Sequence, residues 1–115
     1  MSGMRIVLVI VCLACVAGAL AQPQDRAAVE AAEAARGQAL YNQHCAICHY
    51  DQSTAKKIGP GLKGIYARGK FADGKTVNDA GMVAWIEKGG KDMPGLQDTL
   101  KPAEIRTLVN YLKTL

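Results

Sequence analysis

The sequence predicts a small all-α domain, because helix signals recur along the chain and turn signals separate them. Residues 31–42 consist of strong helix formers, side chains suited to a helix cap stand at residues 78–79, and apolar residues three and four apart follow Pro102. The glycine-rich stretches between these segments favour loops. A chain of 115 residues has room for one such domain at most.

The amino-terminal residues have the pattern of a secretory signal peptide, which is removed from the mature protein. Arg5 precedes an apolar run over residues 6–21, and Ala19-Leu20-Ala21 supplies the small residues of a cleavage site. We therefore expect cleavage before Gln22, export across the inner membrane and a periplasmic protein. A retained membrane anchor is the alternative, although the run is shorter than the ~20 apolar residues that span a bilayer.

The mature chain is predicted to begin with a tether and to continue with a single domain over residues 31–115. Residues 22–30 are polar and alanine-rich with an early proline, which favours the tether. In the helix predicted over residues 31–42 and the residues that follow it, the spacing of Gly37, Leu40, Tyr41 and His44 indicates one buried face. A glycine in mid-helix costs about 1 kcal/mol relative to Ala, so we expect another backbone to pass close to Gly37.

The middle of the chain is expected to form loops with short helical turns at most. Residues 50–75 hold several glycines without clear periodicity, and Gly59-Pro60-Gly61 is their sharpest turn signal. Asn78 or Asp79 is expected to cap a second helix, which Gly89-Gly90 would end. The residues that this helix would place on one face are Met82, Trp85 and Ile86.

A final helix is predicted after the loop over residues 91–101, since Pro102 suits a first helical turn. One Trp, one Phe and four Tyr provide few large side chains for the core of so short a domain. A buried macrocycle would complete that core. The apolar stripe of the final helix is formed by Ile105, Leu108, Val109, Tyr111 and Leu112.

The net charge argues against one class of function, and the predicted cleavage site determines which cysteines the mature protein keeps. The formal net charge of +4 is a mild excess, and the basic residues form no dense cluster interleaved with aromatic residues, so nucleic-acid binding is not expected. Cleavage of residues 1–21 would remove Cys12 and Cys15. Cys45 and Cys48 would then be the only cysteines of the mature chain.

Cys45-Ala46-Ile47-Cys48-His49 is the most specific motif in the chain. In an exported protein this pattern is typical of a c-type haem attachment site. Residues i and i+3 lie on one face of a helical turn, so both sulfurs can reach the two vinyl groups along one porphyrin edge and form thioethers. His49 follows directly and can offer an imidazole nitrogen to the iron from one side of the ring.

Other uses of these residues stay open on spacing alone. A thioredoxin-like dithiol needs a βαβ setting, and no alternating or β-branched run precedes the cysteines. A zinc site from His44, Cys45, Cys48 and His49 would need ligands adjacent in sequence to turn toward one metal, whereas structural zinc sites draw their pairs from separate segments. The spacing is also compatible with a disulfide.

The mature chain resembles the class I cytochromes c. It has that family's spacing from Gly37 to Tyr41 to the Cys-x-x-Cys-His motif, and Leu108 and Tyr111 are similar to the pair that packs there from the last helix. The resemblance implies a fold in which the amino- and carboxy-terminal helices cross and the loops wrap around one covalent haem c with its iron. Lys101 departs from the Ser or Thr that commonly caps the last helix.

The resemblance also implies the second iron ligand. In this family it is a Met in a loop before the last helix, usually followed by Pro, and Met93-Pro94 matches that pattern. Met82 is the competing candidate, but its helical spacing favours a place in the core. The Pro60 carbonyl is implied to accept a hydrogen bond from His49, which would fix the ring. Candidate contacts for the haem propionates are Tyr66, Arg68 and Trp85.

The function implied by the resemblance is one-electron transfer and not enzyme catalysis, since an iron bound by His49 and Met93 has no free position for a substrate. Donor and acceptor would be redox proteins, and a membrane would be approached only through their complexes. A haem subunit of a larger redox complex and, with a labile Met ligand, a peroxidase or gas-binding protein are the alternatives. The lysines that would border the haem edge and dock onto an acidic partner are Lys56, Lys57, Lys63, Lys88 and Lys91.

Overall fold

Four α-helices joined by loops make up the computed structural model of the protein, which describes residues 23–115. The helices are α1 (Pro23–His44), α2 (Ile65–Arg68), α3 (Asp79–Lys88) and α4 (Pro102–Leu112). Within the described residues the only β pairing is an isolated antiparallel bridge between Lys70 and Thr76. The all-α prediction is confirmed. The signal peptide predicted over residues 1–21, and its cleavage site, lie outside the described residues.

Helix α1 begins earlier than the sequence analysis expected. Residues 23–30, which we predicted as a tether, form the first turns of this helix, and every residue from Pro23 to Ala32 is exposed. Local propensity explains the difference, because the stretch contains Gln, Arg, Ala and Glu, which are good helix formers, Pro23 occupies the first helical position and Asp25 lies in the first turn. The helix therefore extends beyond the surface against which its carboxy-terminal half packs.

The contact between α1 and α4 is centred on Gly37. A Cβ built on Gly37 would lie 2.5 Å from the Cβ of Tyr111 and 2.9 Å from the carbonyl oxygen of Thr107. One turn later, the rings of Tyr41 and Tyr111 pack with their centroids 5.7 Å apart and their planes inclined at 51°. The predicted crossing of the first and last helices is confirmed, and so is the reason for a glycine in mid-helix.

Polar contacts close the edges of this helix pair. Thr107 donates a hydrogen bond from its hydroxyl to a Glu33 carboxylate oxygen at 2.5 Å. The Tyr111 hydroxyl donates to Asp51 at 2.8 Å, which ties the segment after the Cys-x-x-Cys-His motif to α4. Desolvation and this hydrogen bond raise the pKa of Tyr111 to about 12. Tyr111 is therefore a neutral donor at physiological pH.

The core lies where α4 meets α1 and α3. The side chains with the lowest exposure are Tyr41, Ile105 and Leu108. The stripe predicted for α4 is buried throughout, and Met82 and Ile86 join it from α3, as predicted. Thr107 is also buried, although the apolar pattern did not indicate it. Its burial is possible because its hydroxyl donates a hydrogen bond to Glu33.

The ends of α3 and α4 follow the expected capping chemistry with one difference. Asn78 caps α3 by accepting a hydrogen bond from the Gly81 amide at 2.8 Å, and Gly89 ends the helix with φ 70°. At the start of α4, Lys101 has no side-chain cap, but the Glu104 carboxylate accepts from the Lys101 amide at 2.8 Å. Glu104 thus provides the half of a capping box that satisfies the Lys101 amide. Among the described helices none is long and apolar enough to cross a membrane.

Replacing Gly37 by Ala tests the helix crossing. Helix propensity alone would raise the free energy of unfolding by about 1 kcal/mol. We expect a decrease of about 1–3 kcal/mol instead, because the added methyl group would overlap Tyr111 and push the helices apart. Denaturant unfolding of the holoprotein measures the change. Ala39→Gly, at an exposed position of the same helix, is the propensity control, and a stability gain in Gly37→Ala would contradict the close packing.

Candidate haem-binding site

The Cys-x-x-Cys-His motif forms the turn that follows α1. The Cys45 and Ala46 amides both donate to the Tyr41 carbonyl, at 2.8 and 3.0 Å, and continue the hydrogen bonding of the helix. The amides of Cys48 and His49 then donate to the Cys45 carbonyl at 3.0 and 2.9 Å. The motif is thus wound as a helical turn, which is the conformation that brings residues three apart to one face.

The two cysteines are free thiols in different environments. Cys45 is buried with 8% of its surface exposed, and Cys48 is half-buried. Desolvation and the neighbouring Cys48 raise the pKa of Cys45 to about 11. Within residues 23–115, no three His, Cys, Asp or Glu side chains are grouped as metal ligands.

The His49 ring is held through one of its two nitrogens. Its Nδ1 lies 2.7 Å from the Pro60 carbonyl oxygen, and Nδ1–H must be the donor because a carbonyl can only accept. Gly59 lies against the ring, since a Cβ there would come within 2.8 Å of Nδ1 and 2.9 Å of Nε2. The predicted contact between His49 and Pro60 is present in the structure, and Nε2 keeps its lone pair.

Two hydrogen bonds that sequence reasoning missed fix the backbone of the motif. The Tyr41 hydroxyl donates to the His49 carbonyl at 2.6 Å, and the Lys57 ammonium donates to the Ala46 carbonyl at 2.7 Å. Lys57 also lies over the Tyr50 ring, 5.2 Å from its centroid. The helical spacing indicated that Tyr41 is buried but not where its hydroxyl points. No pattern in the sequence indicated that Lys57 turns toward the motif.

The loop after α3 holds Met93 in a tight turn. The Gly90 amide donates to the Met93 carbonyl at 3.0 Å, and the Leu96 amide donates to the Ile86 carbonyl at 2.8 Å. The loop therefore folds back on the last turns of α3. Met93 is half-buried, whereas only 5% of the surface of Met82 is exposed, in the core with Ile86.

The segment around α2 supplies further polar groups. The Arg68 guanidinium donates to the Gly61 carbonyl at 2.6 Å. The Tyr66 hydroxyl is buried beside the Asp79 carboxylate, and desolvation together with this carboxylate raises the pKa of Tyr66. Trp85 stacks on Phe71, with ring centroids 5.3 Å apart and planes within 4°. The polar groups of Arg68 and Tyr66, two of the three candidates for propionate contacts, thus lie beside acceptors of the protein itself.

The five lysines predicted to form a docking face are all exposed. Only Lys57 among them has a side-chain hydrogen bond within residues 23–115, the one to Ala46. Lys113, on α4, is paired with Asp79 at 2.9 Å. Of the five predicted docking lysines, one is therefore bound to the motif, and the other four have side chains that solvent or a partner can reach.

These groups fit a covalently bound haem. Two unpaired thiols lie on one helical turn, and an imidazole oriented by Pro60 keeps its second nitrogen available for iron. The glycine beside that imidazole lets the ring lie against the backbone, where any Cβ would overlap it.

Comparison with known proteins agrees with this site. The family model described as "Cytochrome c" matches residues 34–115. A "Cytochrome c-553-like" protein of Synechocystis sp. is 32% identical over 83 residues, which cover 72% of this chain and 70% of that protein. The matched region contains the whole motif, the Met93 loop and α4. The chain therefore belongs to the cytochrome c family, as a class I monohaem cytochrome that carries electrons on covalently bound haem c.

Proposed function

We propose that this cytochrome is a periplasmic one-electron carrier with haem attached through Cys45 and Cys48 and with iron ligated by His49 and Met93. The observation that carries the proposal is the 2.7 Å hydrogen bond from His49 Nδ1 to the Pro60 carbonyl. This bond fixes the tautomer in which Nε2 is the free ligand atom and increases its basicity. The periplasmic location rests on the signal pattern of residues 1–21.

The arrangement of ligands suits electron transfer. When bound, the haem supplies the one-electron couple of its iron. The chain holds the His49 ring through Pro60 and the His49 carbonyl through Tyr41, so the imidazole has little freedom to rotate. The Gly90 to Met93 hydrogen bond holds the second ligand in its turn. Ligands fixed in this way reorganise little between oxidation states, as a carrier requires.

Met93 is the better second ligand because of where each Met lies. Met82 is buried against Ile86 in the helical core, and its sulfur would have to leave that core to reach an iron. Met93 is half-buried in a glycine-rich turn, where backbone freedom allows the sulfur to face a cofactor. A thioether is a soft ligand that raises the reduction potential of haem iron. With both ligands in place, we propose an electron-transfer protein and not an enzyme.

Docking through the exposed lysines is the finer part of the proposal. Lys56, Lys63, Lys88 and Lys91 have no side-chain partner within residues 23–115. A partner with an acidic surface would gain association rate from these charges. Lys57 would contribute less than we predicted from the sequence, because its ammonium is bound to Ala46.

Covalent attachment can be tested by replacing both motif cysteines. In a host that matures c-type cytochromes, the unmodified protein should keep one haem through acid–acetone extraction. Cys45→Ala/Cys48→Ala should lose it completely, because no thioether can form. The matched control is Cys12→Ala/Cys15→Ala, which should keep covalent haem. Extraction of all haem from the unmodified protein would refute thioether attachment.

The second ligand can be identified with two matched variants, Met93→Leu and Met82→Leu, which remove a sulfur with little change in volume. The ferric protein should show the weak red absorption of a sulfur–iron bond. We expect Met93→Leu to lose that band and to lower the reduction potential, and Met82→Leu to retain both. Loss of the band in Met82→Leu alone would assign the ligand to Met82.

The lysine face can be tested with small charged oxidants. Oxidation by anionic ferricyanide should slow as added salt shortens the Debye length below ~10 Å, and a cationic cobalt complex should show the opposite trend. Lys91→Glu should slow the ferricyanide reaction several-fold at low salt. Arg106→Glu, at an exposed position of α4, is the control and should change it little. Equal effects of the two reversals would contradict a localised docking face.

A further inference from the structure

The loop that holds Met93 is hydrogen-bonded to the last turn of α3, which begins at Trp85. The Gly89 amide donates to the Trp85 carbonyl at 2.8 Å, and the next amide, that of Gly90, donates to the Met93 carbonyl at 3.0 Å. Two consecutive main-chain hydrogen bonds thus connect Trp85 to Met93. The residues in between, Lys91 and Asp92, are exposed and add no buried contact.

The Trp85 side chain lies against the same loop. A Cβ added to Gly90 would lie 3.0 Å from the indole Cζ2 and 3.5 Å from Cη2, so the loop backbone approaches the six-membered ring closely. The indole also stacks on Phe71, with centroids 5.3 Å apart and planes within 4°. Phe71 comes from the loop before α3, so its ring limits the movement of the indole.

We infer that Trp85 is a positioning residue for Met93: its indole, supported by Phe71, is the surface that keeps the Gly90–Met93 turn closed. The inference rests on the proposed function, in which Met93 binds iron. Neither Gly89 nor Gly90 has a side chain that could hold the turn. The indole supplies that contact from outside the loop, and opening of the turn would separate Gly90 from it.

The experiment measures how often the turn opens in the ferric holoprotein. Imidazole replaces a Met ligand only after the sulfur leaves iron, so the displacement rate at saturating imidazole reports turn opening. Trp85→Leu, which removes the aromatic surface, should raise this rate by about tenfold, while Trp85→Phe should stay within about threefold of the parent. Gly90→Ala should also accelerate displacement, because its methyl group would press on the indole.

A second measurement separates positioning from general stability. Amide hydrogen exchange at Gly90, whose N–H bonds to Met93, should accelerate in Trp85→Leu more than exchange in the α1–α4 core. Gly37→Ala, which is expected to destabilise the protein at the helix crossing, should accelerate imidazole displacement much less than Trp85→Leu does. Acceleration by Gly37→Ala equal to that by Trp85→Leu would overturn the inference in favour of global loosening.

The remaining outcomes distinguish the inference from the proposal on which it rests. If Met93→Leu abolishes the sulfur–iron band but Trp85→Leu leaves displacement and Gly90 exchange unchanged, Met93 is the ligand and the inference is wrong. If the band survives in Met93→Leu, the proposed ligation fails and the inference fails with it. If Trp85→Leu does not fold, the test rests on Trp85→Phe and Gly90→Ala. A displacement rate in Gly90→Ala equal to that of the parent would then overturn the inference.

Discussion

The packing of α1 against α4 at Gly37 is the contact on which the rest of the structure depends. Because Gly37 has no side chain, the Tyr111 Cβ and the Thr107 carbonyl lie where a Cβ would otherwise be. This sets the distance between the helices and brings Tyr41, one turn later, onto the Tyr111 ring. The Tyr41 hydroxyl then reaches the His49 carbonyl at 2.6 Å. A single missing side chain thereby determines where the proposed iron ligand lies relative to the core.

Hydrogen bonds to main-chain oxygens hold the haem-binding motif in place. Tyr41, Lys57 and His49 donate to the carbonyls of His49, Ala46 and Pro60, and the Gly59 amide donates to the Cys48 carbonyl at 2.7 Å. Ile47 is 76% exposed, whereas Cys45 belongs to the buried core. The two thiols and the second imidazole nitrogen therefore remain available for the cofactor.

Most of the fold could be predicted because periodicity and capping are local. The stripe of α4, the Asn78 cap and the Gly89 stop depend on residues within one or two turns of each other, and all three appear in the structure. The start of α1 was misplaced because exposed residues of good helix propensity form its first turns without an apolar pattern to indicate them. The inward turn of Lys57 and the contact of Trp85 with Gly90 depend on segments that only the tertiary fold brings together. Patterns among neighbouring residues do not predict such contacts.

The pairing of the first and last helices also governs when this chain can begin to fold. The hydrogen bond from Thr107 to Glu33 spans a sequence separation of 74 residues, and the buried face of α1 is completed only by α4. Closing so long a loop carries an entropic cost that isolated α1 contacts cannot offset. A chain that lacks its final segment therefore lacks the surface that buries this face of α1.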